Sequence, residues 1–166
     1  VDEERHVERG GRLPHGVQAL VVEVAPVDVA ADLDAGELER SRHALQLLHR
    51  AARVRRGQRV LVQGAAGAVG QALLVLGREV GLELWGTALG AHAVLIRGLG
   101  ASPIDYQRED FTRVLPDGFD VVFDGIGEAG YRRSFAALKP GGLLLAIGFS
   151  ASVQAQQRLR TIVMSI

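Results

Sequence analysis

A glycine-rich turn, QGAAGAVG at residues 63–70, stands between two apolar segments. The run Arg59–Gln63 precedes the turn and the amphipathic segment Ala68–Val80 follows it, an order that predicts a strand, a tight turn and a helix. Glycines let a phosphate approach the backbone closely, and N–H groups at a helix N-terminus bind anions. The turn therefore predicts a nucleotide diphosphate site. A turn without a ligand is the alternative, because Ala65 replaces the first glycine of the usual Gly-x-Gly-x-x-Gly pattern.

A second candidate position follows the next apolar run, about twenty residues after the glycines, at Trp85-Gly86-Thr87-Ala88. Sites that prefer NAD place an acidic residue here to accept hydrogen bonds from the adenosine ribose. Ala88 carries no carboxylate that would repel a 2′-phosphate. The position thus favours NADPH over NADH, and a loop that binds no ribose is the alternative.

Composition excludes several classes of function. The 166 residues include 19 Lys and Arg and 19 Asp and Glu, so no net charge favours nucleic acid or an anionic membrane as a partner. No cysteine is present and the histidines form no ligand motif, so we predict no metal site. The charged start of the chain and the lack of a long apolar run predict a cytoplasmic protein.

From residue 59 onward, short apolar runs alternate with helical patterns, which predicts a doubly wound α/β domain with a parallel six-stranded sheet flanked by helices. An acidic cap at Asp34 opens an earlier helix that extends to about Val54. The predicted strands are 59–63, 82–86, 102–105, 120–123, 143–148 and 161–166, and the predicted helices are 68–80, 91–99, 108–115 and 128–138.

The first part of the chain differs from the rest. Residues 1–16 are polar and without a period, and a short β-branched run at 19–24 could form one strand. We expect residues 1–33 to be a lead-in, the remnant of a preceding catalytic domain. Residues 34–166 would form the nucleotide-binding domain.

Several further segments, in a fixed order over about residues 45–166, resemble zinc-independent medium-chain dehydrogenases/reductases of the quinone oxidoreductase-like branch. Besides the glycine turn, the segments that carry the resemblance are WGTA at 85–88, LGASPIDY at 99–106, DVVFDGIG at 120–127, SFAALKPGG at 134–142 and GFS at 148–150.

The resemblance implies a Rossmann domain with NADP(H) across the carboxyl ends of its strands. In the family, a serine and a lysine often hold the 2′-phosphate, and those positions are Leu89 and His92 here. The implied cofactor contacts are Ala66, Gly67, Ala68, Val69 and Gly70 at the pyrophosphate; Gly86, Thr87, Ala88, His92 and Tyr106 toward the adenosine; and Asp124, Ile126, Gly127, Gly148, Phe149 and Ser150 toward the nicotinamide.

The resemblance also implies hydride transfer to a small-molecule acceptor, a quinone or an enone, by a complete protein in which the cofactor carries the chemistry. The family's substrate site needs a barrel domain for which this chain has no room, so we assign no catalytic residue here. A nucleotide-binding module without catalysis, or a remnant that has lost binding, are the alternatives. The family dimerises through its last strand, and the apolar run 162–164 therefore predicts a homodimer through an exposed C-terminal edge strand.

Overall fold

The computed structural model describes residues 18–24, 33–148 and 159–165, with side chains at 36, 40–127 and 130–147. The strands are β1 (Gln18–Val24), β2 (Arg59–Gln63), β3 (Glu83–Ala88), β4 (Ser102–Asp105), β5 (Phe119–Asp124), β6 (Leu138–Gly148) and β7 (Leu159–Ser165). The helices are α1 (Leu33–Leu45), which continues in a π-helical turn (Gln46–Ala51), α2 (Ala68–Val80), α3 (Ala93–Gly98) and α4 (Glu128–Ala136), with 3₁₀ turns at Gly90–His92 and Phe111–Arg113.

One sheet contains all the described strands, in the order β1-β7-β6-β5-β2-β3-β4. Strands β2 to β6 are parallel, whereas β7 runs antiparallel to β6. The prediction of a doubly wound α/β domain is confirmed, but the prediction of six parallel strands was wrong. About ten residues separate β6 from β7, fewer than a parallel crossover needs, so the strand predicted at 161–166 returns in the opposite direction.

Strand β1 occupies the outer side of β7. The two strands pair antiparallel from Gln18 opposite Ser165 to Val24 opposite Leu159. The expectation that the run 162–164 forms an exposed edge was therefore wrong, because β7 is paired on both sides. The boundary between a lead-in and the nucleotide-binding domain stays a prediction, and residues 1–16 lie outside the described residues.

The predicted helix 108–115 was wrong, since only the single turn Phe111–Arg113 forms there. Asp110 ends this turn on its N-terminal side. The Asp110 carboxylate caps the turn by accepting the Thr112 N–H at 3.1 Å and the Thr112 hydroxyl at 2.8 Å. Pro116 follows closely and disfavours helical backbone at the residue before it.

The hydrophobic core lies on both faces of the sheet. In β2, Val60 and Val62 pack on the face covered by α1 and α2, and Leu61 packs on the other face with Phe119 and Val122 of β5. Because both faces are covered, the central strands are continuous apolar runs, as the sequence pattern indicated. This packing leaves the carboxyl ends of the parallel strands as the edge where a ligand can bind.

Candidate nucleotide-binding site

The strand order reverses at β2, which lies between β3 and β5. The chain proceeds from β2 to β3 and β4 on one side, and then returns to place β5 and β6 on the other. Open α/β sheets bind ligands in the crevice at such a switch point, outside the carboxyl ends of the strands. Here Gln63 of β2 lies in register with Thr87 of β3 and with Asp124 of β5, so the loops that follow these three residues surround the crevice.

The glycine loop after β2 forms one wall of the crevice. Gly64 has a φ of +73°, in the left-handed region, and accepts the Gly67 N–H at 3.0 Å as the chain turns into α2. A Cβ on Gly70 would lie 2.5 Å from the Gly64 carbonyl oxygen and 2.8 Å from the Ala65 Cα, so no side chain fits there. Gly70 thus lets α2 begin directly against the turn, while Gly67 and Ala68 remain exposed.

The alanine in the glycine pattern has a structural explanation. Ala65 is fully buried, and a Cβ on Gly86 would lie 2.7 Å from the Ala65 Cβ and 3.2 Å from Cγ2 of Ile96. The space for the Ala65 methyl therefore depends on the glycine in the neighbouring strand. Sequence reasoning assigned Gly86 to the cofactor, and the structure buries it as the packing partner of Ala65.

The predicted adenosine contacts meet at the end of β3. Ala88 is the last residue of this strand, the exposed turn Gly90–His92 follows, and the Tyr106 N–H donates to the Ala88 carbonyl oxygen at 3.4 Å. Tyr106 itself is exposed. The structure therefore brings Ala88, His92 and Tyr106 to one end of the crevice, with Ala88 buried and the other two exposed.

Asp105 is an acidic residue at this end that the sequence did not assign to the cofactor. It serves a turn, because its Oδ1 accepts the Gln107 N–H at 3.1 Å. Its strand register also sets it beside Ala88, and a Cβ on Gly90 would lie 2.7 Å from its Oδ2. The exposed Arg108 offsets this charge, with Nε 3.8 Å from the same oxygen. Only the pairing of β3 with β4 shows that Asp105 lies beside Ala88.

The loop after β5 forms the opposite wall. Asp124 is fully buried, and its Oδ1 accepts the N–H groups of Ile126 at 2.8 Å and of Gly127 at 3.3 Å. This carboxylate therefore holds the turn from inside and does not face the crevice. Ile126 points outward with 58% of its surface exposed, and its Cδ1 lies 3.5 Å from where a Cβ on Gly64 would be. The two walls thus approach each other at Gly64 and Ile126.

Four buried polar side chains connect the walls from behind. The Gln63 amide donates to the Ser134 hydroxyl oxygen at 2.5 Å, and Ser134 donates to Oδ2 of Asp124 at 2.5 Å. On the other side, the Thr87 hydroxyl donates to Oε1 of Gln63 at 3.3 Å and accepts the Gly64 N–H at 3.3 Å. Sequence reasoning missed the roles of Gln63 and Ser134, and it assigned Thr87 and Asp124 to direct cofactor contact. The structure instead turns both of those side chains into the protein.

The remaining predicted positions lie toward β6. Gly148 ends this strand, opposite Arg160 of β7, and Phe149 and Ser150 lie outside the described residues. In the part of the chain that the structure describes, no three His, Asp or Glu side chains are grouped to hold a metal ion. No helix among the same residues combines the length and apolar character needed to cross a membrane.

A further cluster of charged residues lies at the opposite end of β5. Burial raises the pKa of the Asp120 carboxyl, but hydrogen bonds from Lys139 and from the Arg59 N–H, together with the charges of both side chains, bring this pKa below its ordinary value. These contacts tie the amino ends of β2 and β5 to β6. They stabilise the sheet away from the crevice.

The fold and the crevice define a Rossmann-type nucleotide-binding domain. The family model described as zinc-binding dehydrogenase matches residues 99–165. The 2-haloacrylate reductase of a Burkholderia species is 32% identical over 140 residues, which cover 76% of this chain and 42% of the relative. The chain belongs to the medium-chain dehydrogenase/reductase family, on its quinone oxidoreductase-like branch, as the resemblance predicted.

Solved structures agree with this family assignment. The quinone oxidoreductase of Pseudomonas syringae pv. Tomato DC3000 matches with a TM-score of 0.66 at 26% identity, over 79% of this chain and 49% of that chain. A mycobacterial protein solved in complex with NADPH matches with a TM-score of 0.65 at 30% identity, over 75% of this chain and 40% of that chain. The chain thus spans less than half the length of these relatives.

Proposed function

We propose that this chain is the NADP(H)-binding domain of a quinone oxidoreductase-like reductase. The observation that carries the proposal is the glycine loop at the switch point, where Gly70 admits no side chain and the backbone of Gly67 and Ala68 is exposed. Such a helix start offers N–H groups to a pyrophosphate. The NADPH complex of the mycobacterial relative supports the identity of the ligand.

The cofactor would extend along the carboxyl ends of the parallel strands. Its pyrophosphate would lie on residues 66–69, its adenosine beside Ala88 and Tyr106, and its nicotinamide toward Gly127 and the exposed Ile126. Ile126 offers an apolar surface to a flat ring, and Gly148 lies farther along the same edge. Contacts from Phe149 and Ser150 stay predictions of the family resemblance.

The charges at the adenosine end support NADPH as the preferred form. Ala88 supplies no carboxylate, and the guanidinium of Arg108 stands beside Asp105. His92 lies exposed in the adjacent turn. Arginine is suited to phosphate recognition because its donors are planar and always charged. We therefore propose that Arg108 contributes to 2′-phosphate binding in place of the lysine that the family often has at the position of His92.

We further propose that the complete protein transfers hydride from NADPH to a quinone or enone-like acceptor. The cofactor supplies the hydride when it is bound. The residues of this chain bind and orient the dinucleotide, and none of them is assigned a proton-transfer role. The activities of the two relatives, a quinone oxidoreductase and a 2-haloacrylate reductase, support an activated double bond or quinone as the acceptor. Independence from zinc and a cytoplasmic location stay predictions.

A homodimer is also part of the proposal, with a different strand at the interface from the one predicted. Strand β1 ends the described sheet, and its outer edge would offer N–H and C=O groups to a second copy. Its sequence, QALVVEV, is largely apolar. Light scattering should give twice the chain mass at micromolar concentration, and a monomer would refute this part of the proposal.

Calorimetric titration with NADPH, NADH and their oxidised forms tests the proposed function. We expect NADPH to bind at least tenfold more tightly than NADH, a difference of about 1.4 kcal/mol. If none of the four dinucleotides binds, the proposal is wrong. If NADH binds tenfold more tightly, the argument from Ala88 and Arg108 is wrong.

A pair of glycine variants tests the location of the site. In Gly67→Ala, the new methyl would stand 3.2 Å from the Gly64 carbonyl oxygen, in the exposed loop where the pyrophosphate would lie. We expect NADPH affinity to fall at least tenfold. Gly98→Ala is the matched control, because Gly98 lies in α3 and its added Cβ meets no atom within 4 Å. Equal losses in both variants would contradict the assigned location.

A further inference from the structure

The four polar side chains behind the crevice form one uninterrupted series, which we call the buried chain: Thr87, Gln63, Ser134 and Asp124. Each is at most 6% exposed, so none can contact a ligand without a rearrangement. The members come from three strands and from α4, and Gln63 and Ser134 are 71 residues apart in sequence. Their hydrogen bonds therefore connect β2, β3 and β5 with α4.

The direction of every hydrogen bond in the buried chain follows from its acidic end. A carboxylate only accepts, so Ser134 must direct its proton to Asp124, and the Ser134 oxygen is then free to accept from the Gln63 amide. The Gln63 carbonyl oxygen consequently faces Thr87, whose hydroxyl donates to it and whose oxygen accepts the Gly64 N–H. The series is satisfied in one orientation.

The two ends of the buried chain reach the two walls of the crevice. At one end, Thr87 holds the first N–H of the glycine loop, that of Gly64. At the other, Asp124 holds the N–H groups of Ile126 and Gly127 in the opposite loop. The walls also approach each other at Gly64 and Ile126, since a Cβ on Gly64 would lie 3.5 Å from Ile126 Cδ1. Side chains that lie behind the walls are thus hydrogen-bonded to both of them.

We infer that Thr87, Gln63, Ser134 and Asp124 are positioning residues, which hold the glycine loop and the loop after β5 at a fixed separation and so preform the crevice for a dinucleotide. The inference rests on the proposed function. A satisfied polar series in a buried site admits one geometry, whereas an apolar contact tolerates sliding. Preforming a site reduces the cost of ordering loops when a ligand binds.

Ser134→Ala breaks the buried chain at a residue that no ligand can touch. We expect NADPH affinity, measured by calorimetry, to fall at least tenfold. In the free protein, we expect amide hydrogen exchange at Gly64 to accelerate at least tenfold, although Gly64 lies three hydrogen bonds from Ser134. Exchange at Gly81, at the far end of α2, where the N–H donates to the Arg78 carbonyl oxygen at 2.9 Å, should not change. A purely local packing role for Ser134 would not alter exchange at Gly64.

Two variants of Thr87 and one control separate hydrogen bonding from stability. Thr87→Val keeps the shape and removes the hydroxyl, whereas Thr87→Ser keeps the hydroxyl and removes a methyl. We expect Thr87→Ser to bind NADPH at least fivefold more tightly than Thr87→Val. Phe119→Leu, at the buried amino end of β5, lowers stability without touching the buried chain and should bind like the wild type.

Wild-type affinity and wild-type exchange at Gly64 in folded Ser134→Ala would overturn the inference. If Ser134→Ala does not fold, equal binding by the two Thr87 variants overturns it instead. Wild-type protein that binds no dinucleotide would refute the proposed function. Exchange at Gly64 in Ser134→Ala would then decide separately whether the two loops are coupled.

Discussion

Exchanging the residues at positions 65 and 86 is the most direct test of how the glycine loop is packed. In Gly86→Ala, the new Cβ would lie 2.7 Å from the Ala65 Cβ, well inside ordinary contact distance. Overpacking a buried site of this kind costs about 1–3 kcal/mol. For a chain of this length, about 2–4 °C is lost per kcal/mol, so we expect a melting temperature roughly 2–12 °C lower.

The reverse substitution makes the test specific to this pair. Ala65→Gly removes a buried methyl and adds backbone freedom, and it should destabilise the protein by about 1 kcal/mol. In the double variant, the methyl on residue 86 enters the space that the Ala65 methyl has left. We therefore expect the double variant to be more stable than the sum of the single effects by at least about 1 kcal/mol. Recovery should be incomplete, because Ile96 Cγ2 still lies 3.2 Å from the new Cβ.

Urea denaturation of the four proteins, followed by far-ultraviolet circular dichroism, measures this coupling. Equal slopes of the free energy against urea would show that the compactness of the unfolded state is unchanged. Additive effects within about 0.5 kcal/mol would refute the reasoning, because two groups that compete for one space cannot act independently. A stability of Gly86→Ala equal to that of the wild type would refute it as well.

Three further outcomes follow from the charges. Ala88→Asp should shift the ratio of the NADPH and NADH dissociation constants at least tenfold toward NADH, as measured by calorimetry, because a carboxylate accepts from the ribose and repels the 2′-phosphate. Arg108→Gln should weaken NADPH about fivefold and leave NADH within twofold, since only NADPH carries the phosphate. The pKa of Asp120 is lower in the folded protein than its unfolded value of 3.8, so the ionised carboxylate stabilises the fold above pH 3.8. This contribution is lost as the pH falls through the pKa of the folded state. Urea midpoints of Asp120→Asn and wild type should therefore converge below about pH 3.8, and a constant difference would contradict this assignment.

The parallel core of the fold could be predicted because its information is local. Strands covered on both faces are continuous apolar runs, and Gly64, Gly67 and Gly70 mark the turn from β2 into α2. The direction of β7 was harder to predict from the sequence, because it depends on the length of the connection from β6 and on pairing with β1. The prediction of a helix at 108–115 was wrong because Asp110 caps the turn Phe111–Arg113, and the helical pattern of the sequence does not show this cap.

The backbone of the candidate site was easier to predict than its side chains. The loops after β2 and β3 were placed at the crevice from their position in the sequence, and the loop after β5 was placed there by the family resemblance. The partnership of Gln63 with Ser134 and that of Ala65 with Gly86 depend on strand register and helix rotation, which a motif does not encode. For the same reason, the position of Asp105 beside Ala88 could not be predicted from the sequence.

The pairing of β1 with β7 also has a consequence for folding. It joins segments from opposite ends of the described sequence, and closing so long a loop carries a large entropic cost. The parallel strands β2 to β6 need only short crossovers, so they can assemble first. Every described wall of the crevice comes from those five strands and the loops between them. The outer two strands can therefore open and reclose while the nucleotide crevice stays intact.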